Sequence, residues 1–190
     1  LESFGYFQID NTALSVIAGI SNRLITWTLP VILLVKNPFY YLKLRHNFSK
    51  GVIVGTLVGC LLVFIRILSI YLWKGCVDID LKLNPHIWFG EIIFVGLSEE
   101  VVFRGLILQK IQESSNFWLA NIVSSALFIL IHVPYWILIQ KYELDTAMLQ
   151  HSLSIMWISL LLGFVLKKSK SLWACMIIHS INNFMSWTVN

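Results

Sequence analysis

Charge is what this sequence lacks most. Only 13% of its 190 residues are Asp, Glu, Lys or Arg, while 57% are hydrophobic. A soluble domain carries about 25% charged residues. The shortage runs the whole length of the chain, so a cleaved leader at one end does not account for it. It excludes an ordinary soluble enzyme and predicts a chain embedded in lipid. Cysteine is also scarce. Cys60, Cys76 and Cys175 show no C-x-x-C spacing, which excludes a disulfide framework or a zinc ribbon. Two of them lie in apolar runs, as small buried hydrophobes do. There is no H-E-x-x-H pair, no internal repeat and no shift of composition marking a separate soluble domain. The net charge of +4 does not point to nucleic acid, because the basic residues sit in short loops between apolar runs. Leu1 stands where an initiator Met would, as expected of a piece of a longer chain.

What is present is apolar sequence in lengths that fit a bilayer. Six segments can be read, at 13–35, 51–73, 87–109, 118–139, 152–166 and 171–189. A span needs about 17–25 residues, and the fifth segment is short. The predicted fold is an all-α, polytopic transmembrane helix bundle of about six spans. Lys36, Lys43, Arg45, Lys50, Lys110, Lys167, Lys168 and Lys170 fall on one side of it, and Lys74, Lys82 and Lys141 on the other. The positive-inside rule then puts residues 36–50 in the cytoplasm and both termini outside. The localisation expected is a multi-pass membrane protein, in the plasma membrane if the source is bacterial. Gly51, Gly55 and Gly59 form a strip that lets another helix backbone approach closely. Pro30 and Pro134 each remove a backbone donor inside a segment, so both predict kinks.

Charges inside hydrocarbon are costly and ask for a reason. Arg23, Arg66, Glu91, Glu99, Glu100 and Arg104 all fall within spans. Equal numbers of each sign predict internal pairing. Glu100 and Arg104 are four apart, on one helix face, and should pair. Glu99 points about 100° away from Glu100 and is free to face another neighbour. Arg66 and Glu91 both lie near the outer ends of their segments and are expected to pair. His132 follows Phe128 by one turn, and His179 and Asn183 are again four apart on one face. Taken alone, each of these is as readily a packing device as a catalyst. Together, Glu99, His132 and His179 lie within about one turn, roughly 5–6 Å, of the mid-depth of three segments. One shared intramembrane site is the simplest account.

Glu99-Glu100-x-x-x-Arg104, then Phe128-x-x-x-His132, then His179-x-x-x-Asn183, resemble in order the three motifs of the CPBP group. That group includes the type II CAAX prenyl endopeptidases and the bacterial Abi-type proteins. The resemblance covers residues 87–190, a catalytic four-helix core. It leaves residues 1–86 as an N-terminal part with two transmembrane helices and a basic cytoplasmic loop. It implies an intramembrane endopeptidase of the CAAX-protease or bacteriocin-processing type. In it Glu99 and His132 would activate a water. His179 and Asn183 would stabilise the oxyanion, and Glu100 and Arg104, with Phe128, would support them. No cofactor is expected and no metal ligand is assigned. Two histidines and a glutamate nonetheless leave a three-ligand zinc site possible. The implied partners are a membrane-associated protein or peptide substrate and the lipid bilayer, with no nucleic acid. The alternative is a non-catalytic membrane protein that keeps the motifs, such as a bacteriocin immunity factor or a sensor-kinase partner. A small-solute transporter is disfavoured, because no pair of matching Gly/Pro-broken segments appears in two halves.

Overall fold

A computed structural model describes residues 12–140 and 146–189. Among them there is no strand, only one isolated antiparallel bridge between Ile79 and Val189. In lipid a backbone must satisfy its own polar groups, and a helix does so within one segment. The first helix, α1, covers residues 12–34, and α2 is Pro38–Tyr41. The long α3, Phe48–Lys74, spans roughly 40 Å. It stops at Gly75, whose φ of 75° a side chain would disfavour. Helix α4 covers 86–112, α5 is Phe117–Leu130 and α6 is Val133–Leu138. Finally α7 is Thr146–Ser169 and α8 is Leu172–Thr188.

Two of these helices are wound unevenly. In α1 the turn Leu24–Thr28 is π-helical, and the Leu29 N–H reaches back to the Leu24 carbonyl. Pro30, which has no donor, follows immediately. Helix α4 is π-wound over His86–Phe94, α-helical over Val95–Glu100, and π-wound again over Val101–Ile107. Pro134 acts as expected. The chain breaks at Ile131 and His132, between α5 and α6.

The glycine strip works as the sequence predicts. A Cβ on Gly55 would meet the Ala174 backbone at 3.1 Å and the Ile177 side chain at 3.0 Å. A Cβ on Gly51 would strike Ser171, and one on Gly59 would strike Ile181. The strip therefore seats α3 directly against α8. The core draws Val31 and Leu42 from the N-terminal part together with Val101, Leu108, Leu162 and Leu166.

The outward faces are apolar. Leu57, Leu61 and Phe64 on α3 and Trp157 on α7 are all more than half exposed, as suits a surface that meets lipid. Four helices are long and apolar enough to cross a membrane: Ala13–Leu34, Phe48–Lys74, Phe117–Leu138 and Thr146–Ser169. This is fewer than the six spans expected. Helix α4 has the length but carries Glu91, Glu99, Glu100 and Arg104, and α8 has only 17 residues. The fifth segment, expected to be short, is a full helix of 24 residues.

The two ends of the bundle differ. At one, the loop 42–47, the end of α4 and the turn after α7 come together. Asn47 and Lys50 donate to the carbonyls of Ser169 and Lys168, and the Trp173 indole donates to Leu44. At the other, Asp80 N–H bonds the Thr188 carbonyl at 2.9 Å. Arg66 also lies there and donates to the Val189 carbonyl at 3.2 Å. The expected Arg66–Glu91 pair does not form, since the chain after α8 brings a closer acceptor to Arg66.

Candidate active site

The site is assembled on α4, where Val95–Glu100 is flanked by the two π-wound stretches. Such stretches often mark functional positions because they re-aim side chains. Glu100 is fully buried and Glu99 is 5% exposed. Arg104 Nη1 donates to Glu100 Oε1 at 2.8 Å, so the pair legible in the spacing is formed. Arg104 Nη2 donates to the Ser159 hydroxyl at 2.7 Å, and Ser159 donates to Ser125 at 2.8 Å. That relay ties α4 to α7 and α5. The two serines carry no sequence signal, because small polar residues in such helices usually serve packing.

Glu100 Oε1 also receives His179 Nδ1 at 2.7 Å. The other ring nitrogen, Nε2, stands 3.8 Å from Glu99 Oε2. His179 thus lies between the two carboxylates. Glu99 Oε1 is 3.8 Å from Arg23 Nη1, and Arg23 Nη2 is 3.7 Å from Glu91 Oε2. Glu91 finds its cation on α1 and not on α3. Both Glu99 contacts are ion-pair distances beyond hydrogen-bonding reach, and Glu99 Oε2 is buried with no hydrogen-bond partner. Glu99 shares His179 with Glu100 but also faces Arg23, which Glu100 does not contact. Arg23 is one of the charges legible inside the spans, but no motif spacing ties it to the site.

Phe128 is the common wall. The Arg104 guanidinium lies 4.6 Å from its ring centroid. The rings of His132 and His179 meet it edge-on, at 4.9 and 5.8 Å. His132 occupies the break before Val133, where Pro134 leaves α5 without its next donor. Its Nδ1 lies 2.7 Å from the Phe128 carbonyl. A carbonyl only accepts, so Nδ1 carries a proton and Nε2 is the nitrogen turned to other partners.

Asn183 departs from the expected arrangement. Its Nδ2 donates to the Glu91 main-chain carbonyl at 3.1 Å. His179 and Asn183 share a face of α8 but engage different partners, Glu100 at the end of the short α-helical stretch and Glu91 in the π-wound turn before it. The carbonyl partner was not legible, because a backbone acceptor leaves no mark in a sequence. Among the described residues no three His, Cys, Asp or Glu side chains stand so as to hold an ion. Both His179 nitrogens are directed at carboxylates.

Fold and site together define a helical membrane protein with a buried carboxylate–histidine–arginine cluster. The motif-bearing part matches a known family, described as Type II CAAX prenyl endopeptidase Rce1-like, over residues 82–185. The chain belongs to that family of intramembrane endopeptidases. No curated protein and no solved structure shows a significant match.

Proposed function

We propose that this chain hydrolyses a peptide bond in a membrane-associated protein or peptide, with Glu99 as the base that activates water. The observation that carries this reading is the contrast between two adjacent carboxylates. Glu100 is occupied by Arg104 and His179. Glu99 is buried beside them and accepts no hydrogen bond from the described residues at either oxygen, whereas only the second oxygen of Glu100, Oε2, is unengaged. A general base needs a lone pair that is not already engaged.

The gap of 3.8 Å between Glu99 Oε2 and His179 Nε2 suits a water in contact with both. Glu99 takes one proton from that water as its oxygen bonds to the peptide carbonyl carbon. The carbonyl oxygen becomes the oxyanion. His179, held at Nδ1 by Glu100, offers Nε2 as one donor to it, and the remaining Asn183 N–H is the second. The C–N bond then breaks and the proton held by Glu99 passes to the leaving amine. His132 Nε2 holds the attacking water. Arg104 and Phe128 position His179 and do not touch the reacting atoms. In this reading the basic loops face the cytoplasm, both termini lie outside, and α4 and α8 complete a six-span bundle. A bacterial chain would sit in the plasma membrane, with CAAX-type or bacteriocin-type processing as its task.

The test is turnover of a library of membrane-anchored peptides by purified protein. Glu99→Gln should fold and be inactive. Asn183→Ala should fold and lose about 10²–10³ in rate, as for one oxyanion donor. Exhaustive chelation should leave the rate unchanged. Full turnover by folded Glu99→Gln overturns the mechanism. Full biological complementation by the same variant indicates instead a non-catalytic immunity or partner role.

A further inference from the structure

At the lysine-rich end the described charges do not balance. Residues 36–50, 110–116 and 167–171 carry eight Lys and Arg side chains and one carboxylate, Glu113. That carboxylate is committed, receiving Lys110 Nζ at 2.6 Å and the Tyr41 hydroxyl at 3.0 Å. Beside it lies a cavity of about 330 Å³ lined by Tyr40, Tyr41, Lys43, His46, Gln109 and Lys170. No carboxylate lines it. The Lys43 and Lys170 ammonium groups have no hydrogen-bond or ion-pair partner among the described residues.

The backbone adds a second sign. Lys43 and Lys170 both have a φ of 56°. Each follows a helical turn and bonds back to it, Lys43 N–H to Tyr40 and Lys170 N–H to Leu166. Such a position ordinarily takes Gly or Asn, and Asn does occupy the nearby positive-φ positions 37 and 47. Here two lysines accept the disfavoured conformation, and both face one cavity. Burial lowers the Lys43 pKa, and the neighbouring charge of Lys170 acts in the same direction. An anion between them would relieve both effects.

Tyr41 also lines a second cavity, of about 720 Å³. Its walls are mainly apolar, with Leu34, Leu106, Ile107, Ile111 and Leu127 among them, and Lys36 and Lys110 also line it. It lies where α1 ends against α4 and α5. A cationic pocket and an apolar trench therefore meet across one tyrosine, at the end of the bundle where headgroups lie. That is the pattern of one molecule with an anionic head and a hydrocarbon tail.

We propose that the Lys43–Lys170 pocket binds the phosphate of an anionic phospholipid, with an acyl chain in the apolar cavity beyond Tyr41. The pocket is distinct from the Glu99 site, and the proposal does not depend on peptidase activity.

The test uses the full chain in detergent, with native mass spectrometry to count retained lipid. The probes are phosphatidylglycerol, phosphatidylcholine and inorganic phosphate. The wild-type protein should retain phosphatidylglycerol in preference to phosphatidylcholine. Lys43→Asn with Lys170→Asn removes both charges and keeps a residue that tolerates the backbone. It should weaken phosphatidylglycerol retention by roughly tenfold to thirtyfold. Lys43→Arg with Lys170→Arg should keep it. Leu127→Trp, which fills the trench, should weaken the lipid as well. Three results would overturn the proposal. One is an equal loss from Lys167→Gln with Lys168→Gln, which would mean diffuse attraction by the basic end. Another is unchanged retention in the folded asparagine pair. The third is inorganic phosphate competing fully while Leu127→Trp has no effect, which would mean a free-anion site.

Discussion

The guanidinium of Arg23 stands 3.8 Å from the carboxylate of Glu99, so a side chain from the first helix reaches the candidate base on α4. The same guanidinium approaches Glu91 at 3.7 Å. Both contacts are long, and the Arg23 side chain is 25% exposed. The pairing should therefore be modest. A double-mutant cycle between Arg23 and Glu91 is expected to give about 0.5–1 kcal/mol of coupling. The corresponding cycle between Arg66 and Glu91 should give none. Coupling measured only in the second cycle would contradict the geometry. Turnover should also fall in Arg23→Gln, because Glu99 loses the charge that faces it.

Arg104 is a different case. It is 1% exposed and serves Glu100 and Ser159 at once. Arg104→Ala leaves a fully buried carboxylate with His179 as its one remaining partner, and removing one partner of such a pair costs up to about 3–5 kcal/mol. The folded yield should drop sharply. Glu100→Leu with Arg104→Met removes the charge instead of stranding it, so it should recover much of the yield. Activity should stay lost, because His179 no longer has an acceptor for Nδ1. Active protein from that double variant would show that Glu100 is dispensable to the site.

The glycine strip gives a prediction about packing alone. Gly55→Val places branched carbon against the Ala174 backbone, which cannot move aside as a side chain can. Overpacking of this kind costs about 1–3 kcal/mol, seen as a lower melting temperature in detergent. Gly75→Ala meets nothing within 4 Å. It should cost only the strain of its positive φ, about 1 kcal/mol. Equal melting temperatures for Gly55→Val and the wild type would mean that α3 and α8 are not in close contact.

The Tyr41–Glu113 tether predicts behaviour with pH, and both residues lie outside the spans. Hydrogen bonds from Lys110 and then from Tyr41 hold the Glu113 carboxyl below its usual value. Burial first, and the bond to Glu113 next, push the Tyr41 phenol up to about 12. The Glu113 contribution is present above the ordinary glutamate value, about 4.3, and is lost as pH falls through the lowered one. The Tyr41 contribution is present below the ordinary phenol value, about 10, and is lost as pH rises toward 12. The tether should therefore be intact across the neutral range. An ultraviolet titration of tyrosinate should show a late step that Tyr41→Phe removes. A late step that survives in Tyr41→Phe would refute the assignment.

Some of this was legible in the sequence, for physical reasons. Helices were legible because lipid permits little else, and each of the six apolar segments is mostly helical, the fourth broken at Ile131 and His132. Glu100–Arg104 was legible because a four-residue spacing fixes a shared face. The span count was not. Length and apolarity single out four helices, since α4 carries the charges of the site and α8 is short. The partners of Arg66 and Asn183 were hidden for a common reason, as both donate to main-chain carbonyls. The role of Ser159 was hidden because a serine inside a membrane helix looks the same whether it fills space or relays a hydrogen bond. Arg23 was visible as a charge that needed a partner, but the sequence could not say which carboxylate it would find.

A π-wound stretch is how a helix accommodates a surplus residue without unravelling. Helix α4 has one on each side of the six residues that carry both glutamates. The direction in which Glu99 and Glu100 point is therefore set by chain length as much as by residue identity. Were residues 86–94 to rewind as an ordinary helix with the surplus residue still in place, both carboxylates would turn by about 100° relative to everything before them. Arg23 would then face the wrong side. The winding of the turns on either side, and not only the six residues between them, decides what the two glutamates face.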